Sequence, residues 1–97
     1  MIEEPADMLE HQIEMEVVER AEQFGYVVRK LQWKGRKGAP DQAFFGFGRC
    51  VIIEFKAPGE KPVGQQAKEI RRLQERYSEV YVCDSRARAL GILGIPM

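Results

Sequence analysis

The sequence predicts an α/β protein of the mixed α+β kind, with helices flanking one small mixed sheet. Three observations lead to this prediction. Apolar residues recur at helical spacing in two long segments, β-branched and aromatic residues cluster in four short runs, and glycine and proline separate the segments. The order is α-β-β-β-α-β, followed by a short C-terminal helix.

The first helix is predicted to run from Met8 to Phe24 and to stop at Gly25, a residue type typical of helix ends. Asp7 and Glu10 have the spacing of a capping box at its start. Its apolar face is made by residues at helical spacing: Leu9, Ile13, Val17, Ala21 and Phe24.

Three strands are predicted to follow, over residues 26–33, 42–47 and 50–55. The third, Cys50-Val51-Ile52-Ile53-Glu54-Phe55, is the most apolar run and predicts a buried central strand. A basic loop with two glycines, residues 34–38, separates the first two strands. Gly48-Arg49 is expected to form the tight turn before the third.

The second half is predicted to contain a loop over residues 57–62, a helix over residues 65–77 and a last strand over residues 79–83. Residues 86–97 are expected to form a short helix with an apolar end. This tail either packs onto the sheet or forms a self-association surface, and the small size of the domain favours self-association. Its apolar residues are Leu90, Ile92, Leu93, Ile95 and Met97.

Length and composition predict one soluble globular domain over residues 1–97, with 44% hydrophobic and 31% charged residues. The two cysteines lie far apart, which predicts neither a disulfide framework nor a zinc site and fits the cytoplasm of a bacterial or phage-infected cell. No signal-like start or membrane-length apolar run occurs, so no membrane partner is expected. The sequence has no glycine-rich phosphate-binding motif, so no nucleotide cofactor is expected.

Charge is divided unevenly along the chain, although its 15 basic and 15 acidic residues sum to a net charge of zero. Residues 1–28 carry eight acids and one base, whereas residues 29–76 carry twelve bases and five acids. The zero total argues against holding nucleic acid by bulk positive charge. The basic middle segment nevertheless has the composition to contact phosphates.

Acidic residues stand at the ends of two neighbouring predicted strands. Asp41 precedes the second strand, and Glu54 and Lys56 end the third. Residues two apart on a strand point to the same face, so Glu54 and Lys56 project together while Phe55 turns into the core. If the strands form a hairpin, two carboxylates and an ammonium share one pocket.

This residue set suits metal-dependent phosphodiester hydrolysis. Carboxylate oxygens hold Mg²⁺ or Mn²⁺, and the backbone carbonyl of Phe55 can add a further ligand. The metal polarises the phosphoryl group and activates water, while a cation stabilises developing charge. Taken singly, Glu-x-Lys is usually a surface ion pair and Pro-Asp a turn, so the prediction depends on their joint occurrence.

A third carboxylate is expected from the first helix. At about 100° per residue, Glu14 lies at the edge of the apolar stripe, from which it can face the sheet. Glu10 and Glu16 also border that stripe, so geometry leaves the choice among the three open. His11 is the single histidine and is expected on the surface, so carboxylates and lysines must supply any chemistry.

These motifs together resemble a known family, the virus-type replication-repair nuclease (VRR-NUC) domain of the PD-(D/E)xK nuclease superfamily. The resemblance covers about residues 13–85. It rests on Glu14, Gly38-Ala39-Pro40-Asp41, Ile53-Glu54-Phe55-Lys56-Ala57-Pro58-Gly59 and Gln66.

The resemblance implies a restriction-endonuclease-like core and a role for each matched residue. Asp41 and Glu54 would ligate the metal, Lys56 would position or activate water, and Gln66 would support the metal or phosphate. Family members carry the helix glutamate eleven residues before a helix-ending glycine, which selects Glu14 to complete the metal site. Phe55 departs mildly from the aliphatic residue of many members.

Two basic groups are the expected DNA contacts. Trp33, beside the first of them, is expected to pack rather than to stack on a base. The alternative for the second is a solvated helix face paired with Glu69 and Glu75. The groups are Lys34, Arg36 and Lys37 in the loop, and Lys68, Arg72 and Arg76 on the second helix.

The function expected from the residues and the resemblance is a metal-dependent DNA endonuclease. Stand-alone family members imply a homodimer acting on branched DNA such as Holliday junctions. One alternative is a non-catalytic DNA-binding or assembly module that retains the scaffold. Others are a general nuclease or a restriction-type enzyme, the latter disfavoured because little chain remains for base readout.

Overall fold

The computed structural model describes residues 8–97 and shows three helices around one four-stranded sheet. This architecture confirms the predicted fold class. In chain order the elements are helix α1 (Glu10–Phe24), strands β1 (Val27–Lys30), β2 (Gln42–Gly46) and β3 (Arg49–Phe55), helix α2 (Gly64–Gln74), strand β4 (Val80–Cys83) and helix α3 (Arg86–Ile92).

The sheet has the order β1-β2-β3-β4. β1 and β2, and β2 and β3, pair antiparallel, so the predicted hairpin exists. β3 and β4 pair parallel and are connected through α2. Strand β3 is therefore interior, and Val51, Ile53 and Phe55 are fully buried in it, as its continuous apolar run predicted.

Different helices pack against the two faces of the sheet. The main core lies on the face covered by α1 and α3, where Phe44, Ile53 and Phe55 pack with Ile13 and Leu90. Helix α2 packs beside β4 and buries Ile70. Because side chains alternate along a strand, Glu54 projects to the face opposite Ile53 and Phe55, which is the α2 side.

Several element ends differ from the prediction. Helix α1 begins at Glu10 with Leu9 as its N-cap residue, whose N–H donates to Gln12 Oε1 at 2.8 Å. The predicted capping residue Asp7 lies outside the described residues. Strand β1 ends at Lys30 because the chain then leaves the sheet towards α2, where Gly38 packs against the backbone.

The hairpin turn lies one residue earlier than predicted. Phe47 and Gly48 have φ of 53° and 73°, and Gly46 pairs with Arg49 across the turn. Two consecutive positive φ values are typical of a type I′ turn, which matches the twist of the flanking strands. Helix α2 ends at Gln74, before Tyr77, whose hydroxyl donates to the Cys50 carbonyl and whose ring is exposed.

The expectation that the C-terminal tail is a self-association surface is wrong. Leu90, Leu93 and Ile95 are buried in the main core. Gly94 has φ of 73°, and the Ile95 N–H returns to the Leu90 carbonyl at 2.9 Å, which turns the chain back onto the sheet. The domain can bury this tail because β4 and α1 leave an apolar surface that α3 fills.

No helix within residues 8–97 has the length and apolar character needed to span a membrane.

Candidate active site

The β2–β3 hairpin places the two predicted strand-end carboxylates side by side. Gln42 pairs with Ile53, so Asp41 and Glu54 are the next residues along the two strands. Asp41 Oδ2 accepts a hydrogen bond from the Phe55 backbone N–H at 2.8 Å. That bond orients the Asp41 carboxylate across the end of β3.

Glu54 and Lys56 lie on one face of β3, as the alternation of the strand predicted. Lys56 Nζ is 3.4 Å from Glu54 Oε2. Glu54 is only 1% exposed, and its other oxygen, Oε1, is buried without a hydrogen-bond partner in residues 8–97. A buried carboxylate oxygen with no partner is costly, so this atom is free to accept a ligand.

The pKa values of both carboxylates are raised, first of all by burial. Burial and the adjacent Asp41 raise the pKa of Glu54 to about 7, although Lys56 opposes the shift. Burial also raises the pKa of Asp41, against the Phe55 N–H bond that lowers it, and Glu14 raises it further. Lys30 and a hydrogen bond with Glu54 also lower the pKa of Asp41. The carboxylates of Glu10, Glu14, Asp41 and Glu54 nevertheless outnumber the two nearby lysines, Lys30 and Lys56.

Glu14 reaches this end of the sheet from α1. It is 7% exposed, and its Oε2 accepts a hydrogen bond from Gln42 Nε2 at 2.7 Å. Sequence reasoning missed Gln42. Gln42 is a polar residue opposite Ile53 on the core face of the hairpin. A buried amide needs a hydrogen-bond partner, and this requirement could have pointed to Gln42.

The structure distinguishes among Glu10, Glu14 and Glu16, the three glutamates of α1 between which helical spacing could not choose. Glu16 pairs with Arg86 at 2.8 Å on the protein surface. Glu10 is half-buried, and its pKa is raised by burial and by the nearby Asp41 and Glu14, while Lys56 lowers it. Glu14 is the buried member of the three, and Glu10 is its neighbour at the edge of the site.

No family model matches the chain. The protein named "Putative nuclease p44" from Acyrthosiphon pisum secondary endosymbiont phage 1 is 36% identical over 78 residues, covering 79% of this chain and 84% of that protein. A solved structure described as a VRR_NUC domain has a TM-score of 0.77 and 31% identity, and covers 88% of this chain and 94% of its own.

The chain belongs to the VRR-NUC family. The resemblance read from the sequence motifs is therefore confirmed, and the domain is a nuclease domain with a restriction-endonuclease-like fold. In both cases the similarity covers most of this VRR-NUC domain and most of its relative.

Gln66 lies in the first turn of α2 in this VRR-NUC domain, beside Gly38 at the end of the basic loop. A Cβ at Gly38 would be 3.4 Å from the Gln66 Cα and 3.2 Å from the Gln65 carbonyl oxygen, so the loop and helix backbones approach closely. Within residues 8–97, no hydrogen bond joins Gln66 to Asp41 or Glu54. Its side chain is half-buried.

The two predicted basic groups meet at Glu69, which is 5% exposed. Arg36 Nη2 lies 3.4 Å and Arg72 Nη1 3.1 Å from Glu69 Oε1, so the loop and α2 form one surface. The Arg72–Glu69 pair lies within α2, as the alternative of a paired helix face expected, but Glu69 itself is buried and also pairs with Arg36 from the loop. Lys34 and Lys37 of the loop and Lys68 of α2 are exposed. Arg76 is also exposed but lies in the turn after Gln74, so it is not on the second helix as expected.

Trp33 is half-buried beside this surface of the VRR-NUC domain. Its Nε1 atom is buried and has no hydrogen-bond partner in residues 8–97. The indole is therefore packed against the protein rather than displayed as an open platform.

The donors suit a small divalent cation. As they stand, no three acidic, histidine or cysteine side chains of residues 8–97 are grouped so that they could hold a metal ion. Mg²⁺, however, is commonly held by one or two carboxylates, with waters and substrate phosphates completing its shell. Asp41 and the unpartnered Glu54 Oε1 match that requirement, and the excess negative charge of the site favours a cation.

Proposed function

We propose that this VRR-NUC domain is a Mg²⁺- or Mn²⁺-dependent DNA endonuclease that hydrolyses phosphodiester bonds. The observation that carries the proposal is Glu54, a buried carboxylate with one unpartnered oxygen, set between Asp41 and Lys56. Burying such a group without a partner lowers stability, so its presence at the end of the central strand favours a functional role.

Asp41 and Glu54 would hold the cation, with Glu14 and the Phe55 carbonyl as further donors. When bound, the cation polarises the phosphoryl group and lowers the pKa of a coordinated water. The Phe55 N–H holds Asp41 in place, and Gln42 holds Glu14. These hydrogen bonds position the ligands before substrate arrives, which improves metal affinity.

Lys56 is placed to orient the attacking water or to stabilise the negative charge that develops on the phosphate. Its ammonium group is 3.4 Å from Glu54 Oε2, and its side chain is only 16% exposed. A cation held in a partly water-excluded site stabilises developing charge more strongly than one in bulk water. Gln66, in the first turn of α2, would support the phosphate from the opposite wall.

The basic surface around Glu69 would bind the DNA backbone. Arg36 and Arg72 are held there by ion pairs and remain more than half exposed. Together with Lys34, Lys37, Lys68 and Arg76, they extend from the loop before Asp41 along α2. Phosphate contacts of this kind position a substrate without reading its sequence.

Branched DNA and a homodimer complete the proposal. One domain supplies one site, whereas cutting two strands of a branch requires two sites. The buried tail cannot supply the dimer contact, but another surface can: the Phe24 and Phe47 rings are 5.5 Å apart and both are exposed, Phe47 by 62%. Phe47 lies in the β2–β3 turn, at the end of the sheet away from Asp41. We assign this patch to a second copy of the chain.

The deciding experiment compares cleavage by the wild type, Asp41→Asn, Glu54→Gln and Glu16→Gln with and without Mg²⁺. The first two substitutions should reduce cleavage by about 1,000-fold or more while DNA binding persists. Glu16→Gln is the matched control, since it removes a carboxylate of α1 that pairs with Arg86. DNA binding without metal-dependent cleavage by the wild type would indicate a non-catalytic module.

Substrate and assembly are tested together on four-way, flap, splayed and linear DNA, with molecular mass measured by light scattering. Phe47→Asn removes an exposed ring and leaves Asn-Gly, a pair that suits the type I′ turn. We expect a dimeric wild type that prefers branched DNA and a monomeric Phe47→Asn. A monomeric wild type, or equal rates on linear and branched DNA, would contradict this part of the proposal.

A further inference from the structure

We propose that a cleft beside the catalytic strand binds one unpaired nucleotide of the cleaved strand, next to the scissile phosphodiester. The cleft lies between the loop of residues 57–62, helix α2 and strand β4, and has a volume of about 450 Å³. This volume is within the range of pockets that hold small ligands. The inference rests on the proposed nuclease function and extends it to the part of the substrate that flanks the cut.

The cleft is contiguous with the catalytic residues through the sheet. Glu54 pairs in register with Val82, which lines the cleft. Paired residues point to the same face, and neighbouring strands lie roughly 4.8 Å apart. Lys56 and Asp84 directly follow the ends of β3 and β4, and Asp84 lines the cleft. A nucleotide in the cleft would therefore lie one strand away from the reacting phosphate.

The lining combines the surfaces that a nucleotide needs. Ala67, Ile70 and Val82 supply an apolar floor on which a base can rest. Lys61 and Arg71 line the cleft, and neither has an ion-pair partner within residues 8–97. The Arg71 guanidinium is thus available to stack on the base or to donate to its edge, and the Lys61 ammonium to donate to its acceptor groups.

Acidic and amide groups on the lining give the cleft a preference for a base over a free phosphate. Glu60 and Asp84 lie among the lining residues and would repel a bare anion, but they can accept hydrogen bonds from the amino group of a base. The Gln74 amide is fixed by donation to the Val80 carbonyl at 3.2 Å. Asp84 Oδ2 accepts from the Gly59 N–H at 2.9 Å, which fastens the loop carrying Lys61 to the end of β4.

An unpaired nucleotide fits this site better than a paired one. A base in a duplex is stacked and paired, and extracting it costs a few kcal/mol, whereas a base at a branch point or mismatch is already partly free. The cleft would therefore favour strands with an unpaired nucleotide beside the cut. This gives the proposed preference for branched DNA a physical basis in residues other than the metal site.

The test uses branched oligonucleotides in which the nucleotide on either side of the cut is replaced, in turn, by an abasic residue. For the wild type, one of the two replacements should lower kcat/KM by about tenfold, a typical effect of a single base contact. Arg71→Ala should lower kcat/KM by a similar factor on the intact strand. It should cause no further loss on the abasic strand, because both changes remove the same interaction.

Arg29→Ala is the matched control, since Arg29 is an exposed cation on edge strand β1, away from the cleft. It should retain the full abasic effect. Arg71 is exposed, so its removal should not unfold the domain; Lys61→Ala provides a second variant of the cleft with the same expected pattern. The proposal is overturned if neither abasic position matters, or if the losses from Arg71→Ala and the abasic residue are independent.

A binding measurement separates this proposal from the proposed function. Fluorescent 2-aminopurine at the flanking position should brighten on binding in Ca²⁺, as the base leaves the stack, and should do so less with Arg71→Ala than with Arg29→Ala. Brightening without cleavage in Mg²⁺ would keep the cleft and refute the nuclease proposal. Cleavage that occurs with neither brightening nor an abasic effect would keep the nuclease proposal and refute the cleft proposal.

Discussion

Glu54, the proposed metal ligand, is also an acid with a shifted pKa. Burial and the adjacent Asp41 raise its pKa to about 7. An acid with a raised pKa holds its proton more tightly in the folded state than in the unfolded state. Without a cation, the folded state is therefore destabilised as pH rises from about 4.5 through 7, where the buried group must lose that proton. A bound cation removes this penalty by compensating the carboxylate charge.

The metal-free domain should consequently lose thermal stability between about pH 5.5 and pH 8. Glu54→Gln cannot ionise and should show a smaller decrease. Adding Mg²⁺ should raise the Tm of the wild type more at the higher pH, where protons no longer compete for the carboxylate. Differential scanning fluorimetry measures all three, and an equal Mg²⁺ effect at both pH values would contradict the assigned role of Glu54.

Gln42 is the side chain whose importance only the structure shows. Its amide donates to Glu14 at 2.7 Å, so Gln42→Leu should leave that buried carboxylate without its partner. We expect roughly 10–100-fold lower cleavage at limiting Mg²⁺, which is the usual cost of losing a hydrogen bond that holds a ligand. Saturating Mg²⁺ should restore part of the rate. An unchanged metal dependence would show that Glu14 acts without support.

Residue-level prediction from the sequence worked where strand alternation decides direction. Glu54, Lys56 and the buried Phe55 lie as alternation requires, and the antiparallel pairing sets Asp41 beside Glu54. Glu69 and Gln42 were not foreseen as buried polar residues. Their burial depends on how the long loop and α1 pack in three dimensions, which a one-dimensional pattern does not contain.

At the scale of elements, the basic loop is fixed to α2 by Glu69 and by the close approach of Gly38. Glu69 Oε1 holds Arg36 at 3.4 Å and Arg72 at 3.1 Å, so one buried carboxylate anchors two exposed cations. Both arginines remain more than half exposed, so solvent screens these pairs and each contributes little to stability.

Glu69→Gln should therefore alter DNA binding more than folding. The free energy of unfolding should fall by about 1–2 kcal/mol, because the substitution removes two solvent-screened ion pairs and a buried charge. The side-chain volume at residue 69 stays nearly the same. Non-specific affinity for duplex DNA should rise a few-fold, since the arginines lose a competing anion. Urea unfolding and fluorescence anisotropy measure the two quantities, and weaker DNA binding would show that the ion pairs orient the loop.

Element ends were harder to predict than elements. The β2–β3 turn shifted by one residue because Phe47 adopts a positive φ, which its residue type disfavours. Helix α2 stops at Gln74 although Tyr77 continues the apolar spacing, because Tyr77 instead reaches the Cys50 carbonyl. In both cases a tertiary contact or a turn geometry overrides local propensity.

For the whole molecule, the C-terminal tail is part of the core. Leu93 is 1% exposed, and its carbonyl accepts the Tyr26 hydroxyl at 2.5 Å, which ties the chain end to the start of the sheet. A small domain has few buried side chains, so the loss of one is a large share of its stability.

Leu93→Ala should lower the free energy of unfolding by about 2–5 kcal/mol, the usual cost of emptying a buried leucine site. Because the residue does not lie on a surface, the oligomeric state of the folded fraction should not change. Met97→Ala is the control, since Met97 is exposed at the same chain end. A mild effect on stability with a change in molecular mass would restore the interface interpretation of the tail.

The parallel pairing of β3 and β4 has a consequence for the order of folding. The Lys56 N–H donates to the Cys83 carbonyl at 2.9 Å, so the end of the catalytic strand is aligned by a segment far along the chain. Contacts distant in sequence form later than a local hairpin. While residue 83 is still inside the ribosome during synthesis, Asp41, Glu54 and Lys56 have not reached their final alignment. Assembly of the proposed site is thus delayed until β4 has been made, which would limit cleavage by chains that end before it.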